Sequence, residues 1–445
     1  MKIISIICCV VFSLFTHATS FVKGAYTFVV LDGKMEVKIY KAKNLTGNVE
    51  LPSTVYHNGT MYKVTEVGPA AFENLQFTSL SIPATYLNIG DNAFYGCSSL
   101  KEVIIEDAVE QIFLSSMSYK MASTFNGCPI AKVTIGRPVY ASSYTAFGGC
   151  PIEELIVRGN LRAIPDKLGV GNSHLTKLDI CSSVEEIPGS CFSGSTALET
   201  LHLPNVRYIG NYAFSGCSSL IEITGLNYLK FVGDYAFSDC SNLERIDFSS
   251  VIMISDRAFN KCISLQNFEI PNCSKIGACA FYGCTSLTRI SYPEGFSQIA
   301  DGAFFHCDNI LEIVFPSTLQ FVGDDYSVNG SFGDCDKLKK IVCKALIPPV
   351  VKDTYAFPYN SFSNAELVVP TNTKVLYKEA EIWKKFTKIS EMDFSSTNVE
   401  DIIECNGKCK LIDNVDLGGR KHKTPQQGIN IVRYINGTSK KIFIP

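Results

Sequence analysis

The stretch from Leu220 to Leu243, LIEITGLNYLKFVGDYAFSDCSNL, contains one complete structural unit and the first residue of the next. It opens with apolar residues at its first and fourth positions, Leu220 and Ile223, in the pattern of a short half-buried strand. It closes with Phe237, followed three residues later by Cys240. A unit of this size cannot enclose a core of its own, so it predicts a stack of similar coils.

The same pattern recurs along most of the chain at intervals of 22 or 23 residues. One core aromatic residue stands in each copy, at Phe72, Phe94, Phe125, Phe147, Phe192, Phe214, Phe237, Phe259, Phe281, Phe304, Phe332 and Phe362. The interval doubles between Phe147 and Phe192, where Leu168 replaces the phenylalanine. A period of this length is typical of a solenoid, in which each coil buries its apolar side chains against its neighbours.

Proline marks the end of the strand in several units. It follows an apolar residue at Pro83, Pro204, Pro271, Pro293 and Pro316. Because proline lacks the backbone N–H that a strand ladder needs, each strand is expected to stop there. The second half of the unit carries Ile-Gly and then Ala-Phe, so we predict short parallel strands on one side of the solenoid and an irregular outer side.

Composition excludes two broad classes of protein. The chain has 445 residues, of which 46% are hydrophobic, so it is not a disordered chain. Its 40 basic and 43 acidic side chains give a formal net charge of -3. This balance provides no surplus of positive charge for a phosphate backbone, and we expect no nucleic-acid partner.

The N-terminus predicts export from the cell. Lys2 precedes an uncharged run from Ile3 to Phe15, and the small residues Ala18-Thr19-Ser20 offer a cleavage site, as in a signal peptide over residues 1–20. The run is shorter than the roughly 20 apolar residues that span a bilayer, and no later run is longer. We therefore expect a secreted or cell-surface protein without a transmembrane segment.

The unit resembles that of the BspA-like leucine-rich repeat family, which combines Ile-Gly with Ala-Phe-x-x-Cys-x-x-Leu. The resemblance covers residues 64–341, with Ser195 in place of one cysteine. Cysteines occupy the expected place in the other regular units, at Cys97, Cys128, Cys150, Cys217, Cys240, Cys262, Cys284, Cys307 and Cys335. The resemblance implies a leucine-rich repeat solenoid of about 23 residues per repeat in a secreted or surface protein, several relatives of which are adhesins.

Both ends of the chain fit the same resemblance. Residues 21–63 are expected to form an N-terminal cap, and residues 342–391 a C-terminal repeat and cap, because bare end coils would expose apolar surface. A short helix from Lys374 to Lys385 would lay Trp383 over the last coil. Residues 392–445 read as a small β module that resembles the C-terminal sorting domain of type IX secretion; the alternative is a plain β cap.

The cysteines are predicted to be mostly buried free thiols. Cys8 and Cys9 fall in the signal peptide, which leaves 16 of the 18. Those at one repeat position point the same way into the core, and this disfavours disulfides between coils. Cys405 and Cys409 flank an Asn-Gly turn and could form a disulfide across it, although free thiols stay open as the alternative.

No arrangement of residues indicates catalysis. The six histidines, at positions 17, 57, 174, 202, 306 and 422, form no pair with helical spacing, and the common nucleophile, phosphate and dinucleotide motifs do not occur. His306 stands next to Cys307, but that cysteine belongs to the repeated core position. We expect no enzyme activity, no cofactor and no metal site.

A binding surface is expected on the outward face of the strands. The third strand position holds alternating charges over most of its length, which predicts either a self-satisfied ladder of ion pairs or a polar groove for a partner. The groove would use His202, Glu222, Arg245, Asp247, Asn267, Glu269 and Arg289. The sequence thus favours a monomeric protein for adhesion or protein–protein recognition, with a structural spacer without a ligand as the alternative and a glycan-binding module as the third candidate.

Overall fold

The computed structural model describes residues 19–114, 124–141, 147–165, 173–266, 268–324 and 330–394, together with the strands that lie between 411 and 444. Four predictions fall outside these residues: nearly all of the signal peptide, Leu168 in place of a core phenylalanine, the role of Asn267, and the disulfide between Cys405 and Cys409. Those four stay predictions.

The solenoid and its caps consist almost entirely of short strands. Their bounds are β1 (Ser20–Lys23), β2 (Tyr26–Val30), β3 (Glu36–Ala42), β4 (Thr46–Glu50), β5 (Thr54–His57), β6 (Thr60–Val67), β7 (Gln76–Ile82), β8 (Asn88–Ile89), β9 (Glu102–Ile105), β10 (Ile112–Leu114), β11 (Lys132–Ile135), β12 (Val139–Ala141), β13 (Glu154–Val157), β14 (Lys177–Ile180), β15 (Glu186–Ile187), β16 (Thr200–His202), β17 (Tyr208–Ile209), β18 (Glu222–Thr224), β19 (Phe231–Val232), β20 (Met253–Ile254), β21 (Lys275–Ile276), β22 (Arg289–Ser291), β23 (Gln298–Ile299), β24 (Glu312–Phe315), β25 (Phe321–Val322), β26 (Lys340–Cys343), β27 (Val350–Val351), β28 (Glu366–Pro370) and β29 (Lys388–Met392). Two short helices, α1 (Ser361–Asn364) and α2 (Lys374–Glu379), and a 3-10 turn, η1 (Trp383–Lys385), lie near the C-terminal end of this series.

One side of the solenoid, which we call the strand face, carries three parallel sheets in line. Their strand orders are β4-β7-β9-β11-β13-β14 with β4 at the N-terminal end, then β16-β18, then β22-β24-β26-β28-β29. Single bridges, Glu222 to Arg245 and Glu269 to Ser291, continue the pairing between the second and third sheets. The predicted solenoid of parallel strands is confirmed, and its strand face continues through β28 and β29.

The opposite side, which we call the return face, also carries parallel strands. A five-stranded sheet has the order β15-β17-β19-β20-β21, and its strands are two residues long. A glycine follows several of them because neighbouring backbones approach closely: a Cβ at Gly233 would lie 2.8 Å from the backbone nitrogen of Asn211. The outer side is therefore more regular than the sequence pattern indicated.

The repeated phenylalanines pack ring to ring in the core, from Phe72 to Phe147 and again from Phe192 to Phe332. Phe357, rather than the expected Phe362, then continues the stack. From Phe192 to Phe304, consecutive ring centroids are 5.2 to 5.4 Å apart, and their planes differ by no more than 17°. All of these rings are fully buried. The predicted role of the aromatic position as the filling of the coil is confirmed.

The C-terminal end of the solenoid is closed by Trp383, as expected, but without the predicted continuous helix. Helix α2 ends at Glu379 because Ala380 adopts an extended conformation, with φ -71° and ψ 134°. The chain then turns through η1, which lets the buried Trp383 donate from Nε1 to the carbonyl oxygen of Pro349 at 2.7 Å. The predicted helix from Lys374 to Lys385 was therefore wrong in length.

Mixed and antiparallel sheets lie at the two ends of the chain. At the N-terminus β1, β2 and β3 pair antiparallel in sequence, and β3 then pairs parallel with β6. Near the C-terminus β30 (Leu411–Asp416), β31 (Lys421–His422), β32 (Gly428–Tyr434) and β33 (Ser439–Ile444) form an antiparallel sheet in the order β31-β30-β32-β33. Its identity as a sorting domain stays a prediction.

Candidate functional site

The third strand position forms a row of side chains on the strand face, which we call the charged row. In its N-terminal part Lys132 Nζ lies 3.4 Å from Glu102 Oε1 and 3.8 Å from Glu154 Oε2. Lys177 Nζ also donates to Glu154 Oε1, at 2.5 Å, and this hydrogen bond lowers the pKa of the Glu154 carboxyl. Parallel strands about 4.8 Å apart bring these side chains together, so this part of the ladder satisfies itself.

The C-terminal part of the charged row is paired in the same way. Glu312 accepts from Arg289, with Nε and Oε2 3.0 Å apart, and its other carboxylate oxygen lies 3.4 Å from Lys340 Nζ. The predicted ladder of ion pairs is thus confirmed at both ends. Arg289, one of the candidate binding residues, belongs to this paired part.

The middle of the charged row is different. Thr200 interrupts the alternation opposite Glu222, so Lys177 and Glu222 are separated by a neutral side chain. Within the described part of the chain, the exposed side chains of Glu222, Arg245 and Glu269 make no ion pair and no hydrogen bond. The structure therefore leaves two unpaired charges in the row, Glu222 and Arg245, between its two paired stretches. Glu269 adds a third unpaired charge beside the row, because it pairs with Ser291 and so stands at the fifth strand position.

His202 and Asp247 occupy the fifth strand position, beside the charged row. Asp247 Oδ1 accepts the backbone N–H of Ser249 at 2.8 Å, so this carboxylate caps its own turn. His202 Nδ1 lies 2.9 Å from the hydroxyl of Thr224 in the next coil. Its ring lies over Gly225, where a Cβ would come within 2.9 Å of His202 Cε1. The Asp247 side chain is thus oriented by its own turn, and the His202 side chain by the next coil.

A shallow cavity lies beside the unpaired charges. Its volume is about 190 Å³, and its walls include Lys177, Thr200, His202 and Glu222. The structure places His202, Glu222, Arg245, Asp247, Glu269 and Arg289 on the strand face with exposed side chains, and their role in binding stays a prediction. Three of the six keep an unpaired charge.

Two searches of the described residues bear on other functions. None of the helices there is long and apolar enough to cross a membrane. Among those same residues, no group of three or more His, Cys, Asp or Glu side chains could hold a metal ion. All 14 cysteines that the structure describes are free, and all except Cys181 are buried, as predicted for core thiols.

A second set of residues, exposed or half-buried on the return face, was not predicted from the sequence. Tyr208, Phe231 and Met253 stand next to one another in neighbouring strands. A few residues further along the same coils, Tyr212 and Tyr235 stack with centroids 4.7 Å apart. The sequence does contain a pattern that could have revealed them. Tyr208, Phe231 and Met253 each directly precede a buried Ile or Val of a return strand.

The architecture defines a class of protein, the leucine-rich repeat solenoids with parallel strands on both sides of each coil. A family model for the BspA type leucine rich repeat region matches in six copies, over residues 65–122, 113–221, 207–339 and 252–380. These ranges cover well over half of the chain. The protein belongs to the BspA-type leucine-rich repeat family.

Solved structures with a similar chain path are also known. A leucine-rich repeat protein from Bacteroides ovatus is 22% identical, with 84% of this chain and 100% of that chain covered and a TM-score of 0.45. A leucine rich cell surface protein from Faecalibacterium prausnitzii is 21% identical, with 84% and 94% covered and a TM-score of 0.37. The pneumococcal vaccine antigen PcpA is 13% identical, with 84% and 99% covered and a TM-score of 0.28. A search of curated proteins found no match.

Proposed function

We propose that this protein is a non-enzymatic, secreted or cell-surface protein that recognises another protein, in adhesion or in a related contact, through the middle of its strand face. The observation that carries the proposal is the position of Glu222 and Arg245 between two paired stretches of the charged row, with Glu269 beside the row in the next coil. Among the residues that the structure describes, none of these three charges has a partner. Membership in the repeat family and the predicted signal peptide support the assignment to the cell surface.

Unpaired charges favour binding for an electrostatic reason. A partner that approaches Lys132 or Glu312 must compete with ion pairs that already exist. A partner that approaches Glu222 or Arg245 can supply the first counter-charge instead, and complementary charges raise both specificity and the rate of association. A partner therefore gains the most electrostatic binding free energy at the middle of the row.

The order of the charges indicates the chemistry of the partner. Along the solenoid the unpaired groups run from acidic Glu222 through basic Arg245 to acidic Glu269. A uniformly anionic polymer would meet two carboxylates, whereas a protein surface can offer a basic, an acidic and again a basic group. The described third and fifth positions from Thr200 to Ser291 also hold no Phe, Tyr or Trp for stacking on a sugar ring. A protein partner is favoured over a glycan on both counts.

Binding measurements with matched variants test this proposal. The purified mature chain is applied to a panel of purified host and neighbouring-cell surface proteins and to a glycan array. We expect a protein partner whose affinity falls about tenfold or more in Arg245→Glu. The control is Lys132→Glu, the same kind of charge reversal within the paired stretch, which should change affinity by no more than about threefold.

Other outcomes would contradict the proposal. Equal losses in the two variants would mean that the unpaired charges have no special role. Binding to the glycan array alone would support the glycan-binding alternative. A chain that binds nothing on either panel would support the structural spacer.

A further inference from the structure

The return face carries an apolar stripe in its five-stranded sheet. Tyr208 and Phe231 are each 38% exposed, and Met253 stands beside Phe231 in the next strand with its side chain half-buried. The three side chains project from β17, β19 and β20 at matching register positions. Such contiguous apolar side chains on an outer sheet face indicate a surface that another molecule covers.

The stripe has opposite charges at its two ends. Glu186 on β15 is paired in register with Tyr208, and Lys275 on β21 is paired in register with Met253. Both charged side chains are exposed, and within the described part of the chain neither forms an ion pair or a side-chain hydrogen bond. With strands about 4.8 Å apart, the two charges are about 19 Å from each other.

We infer that the stripe is the interface of a symmetric homodimer, with a second copy of this chain as the occupant. The order of side chains is acidic, Tyr, Phe, Met, basic, and this order complements itself when reversed. In the dimer Glu186 faces the partner's Lys275, Tyr208 faces the partner's Met253, and Phe231 faces the partner's Phe231. The first two contacts each occur twice, and the contact between the two Phe231 side chains lies on the two-fold axis, as a symmetric interface requires.

The charges also determine the direction of the symmetry axis. Two sheets that pack face to face can be related by a two-fold axis along the strands or by one along the solenoid. An axis along the solenoid would place Glu186 opposite the partner's Glu186, which is repulsive. An axis along β19 reverses the order of the coils and joins opposite charges. The two solenoids are therefore antiparallel in the dimer.

The size of the stripe sets the strength of the dimer. Three partly exposed apolar side chains from each copy bury less area than the roughly 800 Å² per partner of a standard stable interface. We therefore expect reversible association in the micromolar range. This dimer differs from the monomer expected from the sequence, and it leaves the strand face of each copy free.

Sedimentation of the full mature chain tests the inference by charge reversal. Each of Glu186→Lys and Lys275→Glu should raise the dissociation constant about tenfold, because each creates two repulsive pairs in the symmetric interface. The double variant carrying both changes should restore the dimer to within about threefold of the unaltered chain. A variant that merely misfolded would not be rescued by a second substitution.

Phe231→Asp provides an independent variant with a matched control. It should abolish the dimer, because it places two carboxylates at the symmetry axis. Phe113→Asp changes a similarly exposed residue at the corresponding return-face position of β10, outside the stripe, and should leave dimerisation unaltered. A chain that stays monomeric at its highest soluble concentration would overturn the inference, as would a dimer insensitive to Phe231→Asp or one that the double charge reversal fails to restore.

Discussion

The thiol of Cys217 donates a hydrogen bond to the carbonyl oxygen of Phe192 in the preceding coil, with Sγ and O 3.2 Å apart. The same bond joins the repeated cysteine to the previous phenylalanine in eight further coils, at Cys97, Cys128, Cys150, Cys240, Cys262, Cys284, Cys307 and Cys335. The cysteine side chain at this position therefore has two roles: it fills apolar space in the core, and its thiol donates a weak hydrogen bond that links neighbouring coils.

Ser195, which stands at the cysteine position of its coil, is the exception. It is fully buried, and its hydroxyl has no hydrogen-bond partner among the residues that the structure describes. We predict that Ser195→Cys raises the free energy of unfolding by about 1 kcal/mol, because it replaces an unsatisfied buried hydroxyl by a thiol that is easier to bury. Urea denaturation followed by circular dichroism measures the change.

The reverse substitution is the matched control. Cys240→Ser should lower the free energy of unfolding by about 1 to 3 kcal/mol, since the shorter hydroxyl replaces a thiol that bonds Phe214 at 3.1 Å. If Ser195→Cys destabilised the protein, or Cys240→Ser left it unchanged, this account of the cysteine position would be wrong.

The fold could be predicted from the sequence because its core positions repeat. Phe237 and Cys240 each have equivalents in many other repeats, and the shared period shows that these residues occupy core positions. The same packing then applies to every coil. The end of α2 at Glu379 could not be predicted in this way. It depends on how Trp383 reaches Pro349, a contact that occurs once in the chain.

The candidate site could be located only in part. Strand alternation places Glu222 and Arg245 on the outer face, but it does not tell which charges find partners. That depends on distances across neighbouring coils: Arg289 pairs with Glu312, while Arg245 has no partner in the described part of the solenoid. The return-face stripe was not predicted, because alternation along the strands of the strand face gives no information about the exposed position that precedes each buried Ile or Val of the return strands.

The buried thiols predict an alkaline limit to stability. Burial raises the pKa of Cys217 from its ordinary value of 9.0 to about 12, and that of Cys150 to about 12. The folded state keeps these thiols neutral, while the unfolded chain ionises them above pH 9. Their contribution to stability is therefore complete below pH 9 and is lost as the pH rises toward 12.

Each such cysteine should lower the free energy of unfolding by about 1.4 kcal/mol per pH unit across this interval. Urea denaturation at a series of pH values between about 8 and 11 measures the slope. Cys217→Ala should be less stable than the unaltered chain below pH 9, and its free energy of unfolding should fall less steeply above pH 9, by one cysteine's share of the slope. A free energy of unfolding that did not fall above pH 9 would contradict the prediction.

Arg137 links distant coils through a buried guanidinium. Its Nη1 donates to the carbonyl oxygen of Ala84 at 2.9 Å, and its Nη2 donates to that of Pro83 at 3.0 Å. The side chain is fully buried. We predict that Arg137→Ala lowers the free energy of unfolding by about 3 to 5 kcal/mol, because it leaves a cavity and two unsatisfied carbonyl groups.

Arg137→Met separates these two effects. Methionine fills much of the volume without restoring the hydrogen bonds. In a denaturant titration, Arg137→Met should therefore lower the free energy of unfolding by less than Arg137→Ala does. Equal losses in the two variants would show that packing contributes little at this position. No loss in either would contradict a linking role for the guanidinium.

The continuity of the strand face is the claim on which both proposed surfaces depend, and a distance between two spin labels tests it most directly. The labels are attached at Lys177→Cys and Lys340→Cys, in a chain whose Cys181, Cys405 and Cys409 are replaced by serine, because the remaining thiols of the mature chain that the structure describes are buried. Seven steps of about 4.8 Å separate the two sites along the charged row, so a single continuous ladder predicts a narrow distribution centred at about 30 to 35 Å. A broad distribution, or one centred beyond about 45 Å, would show that the coils are divided into independent parts and would contradict the account.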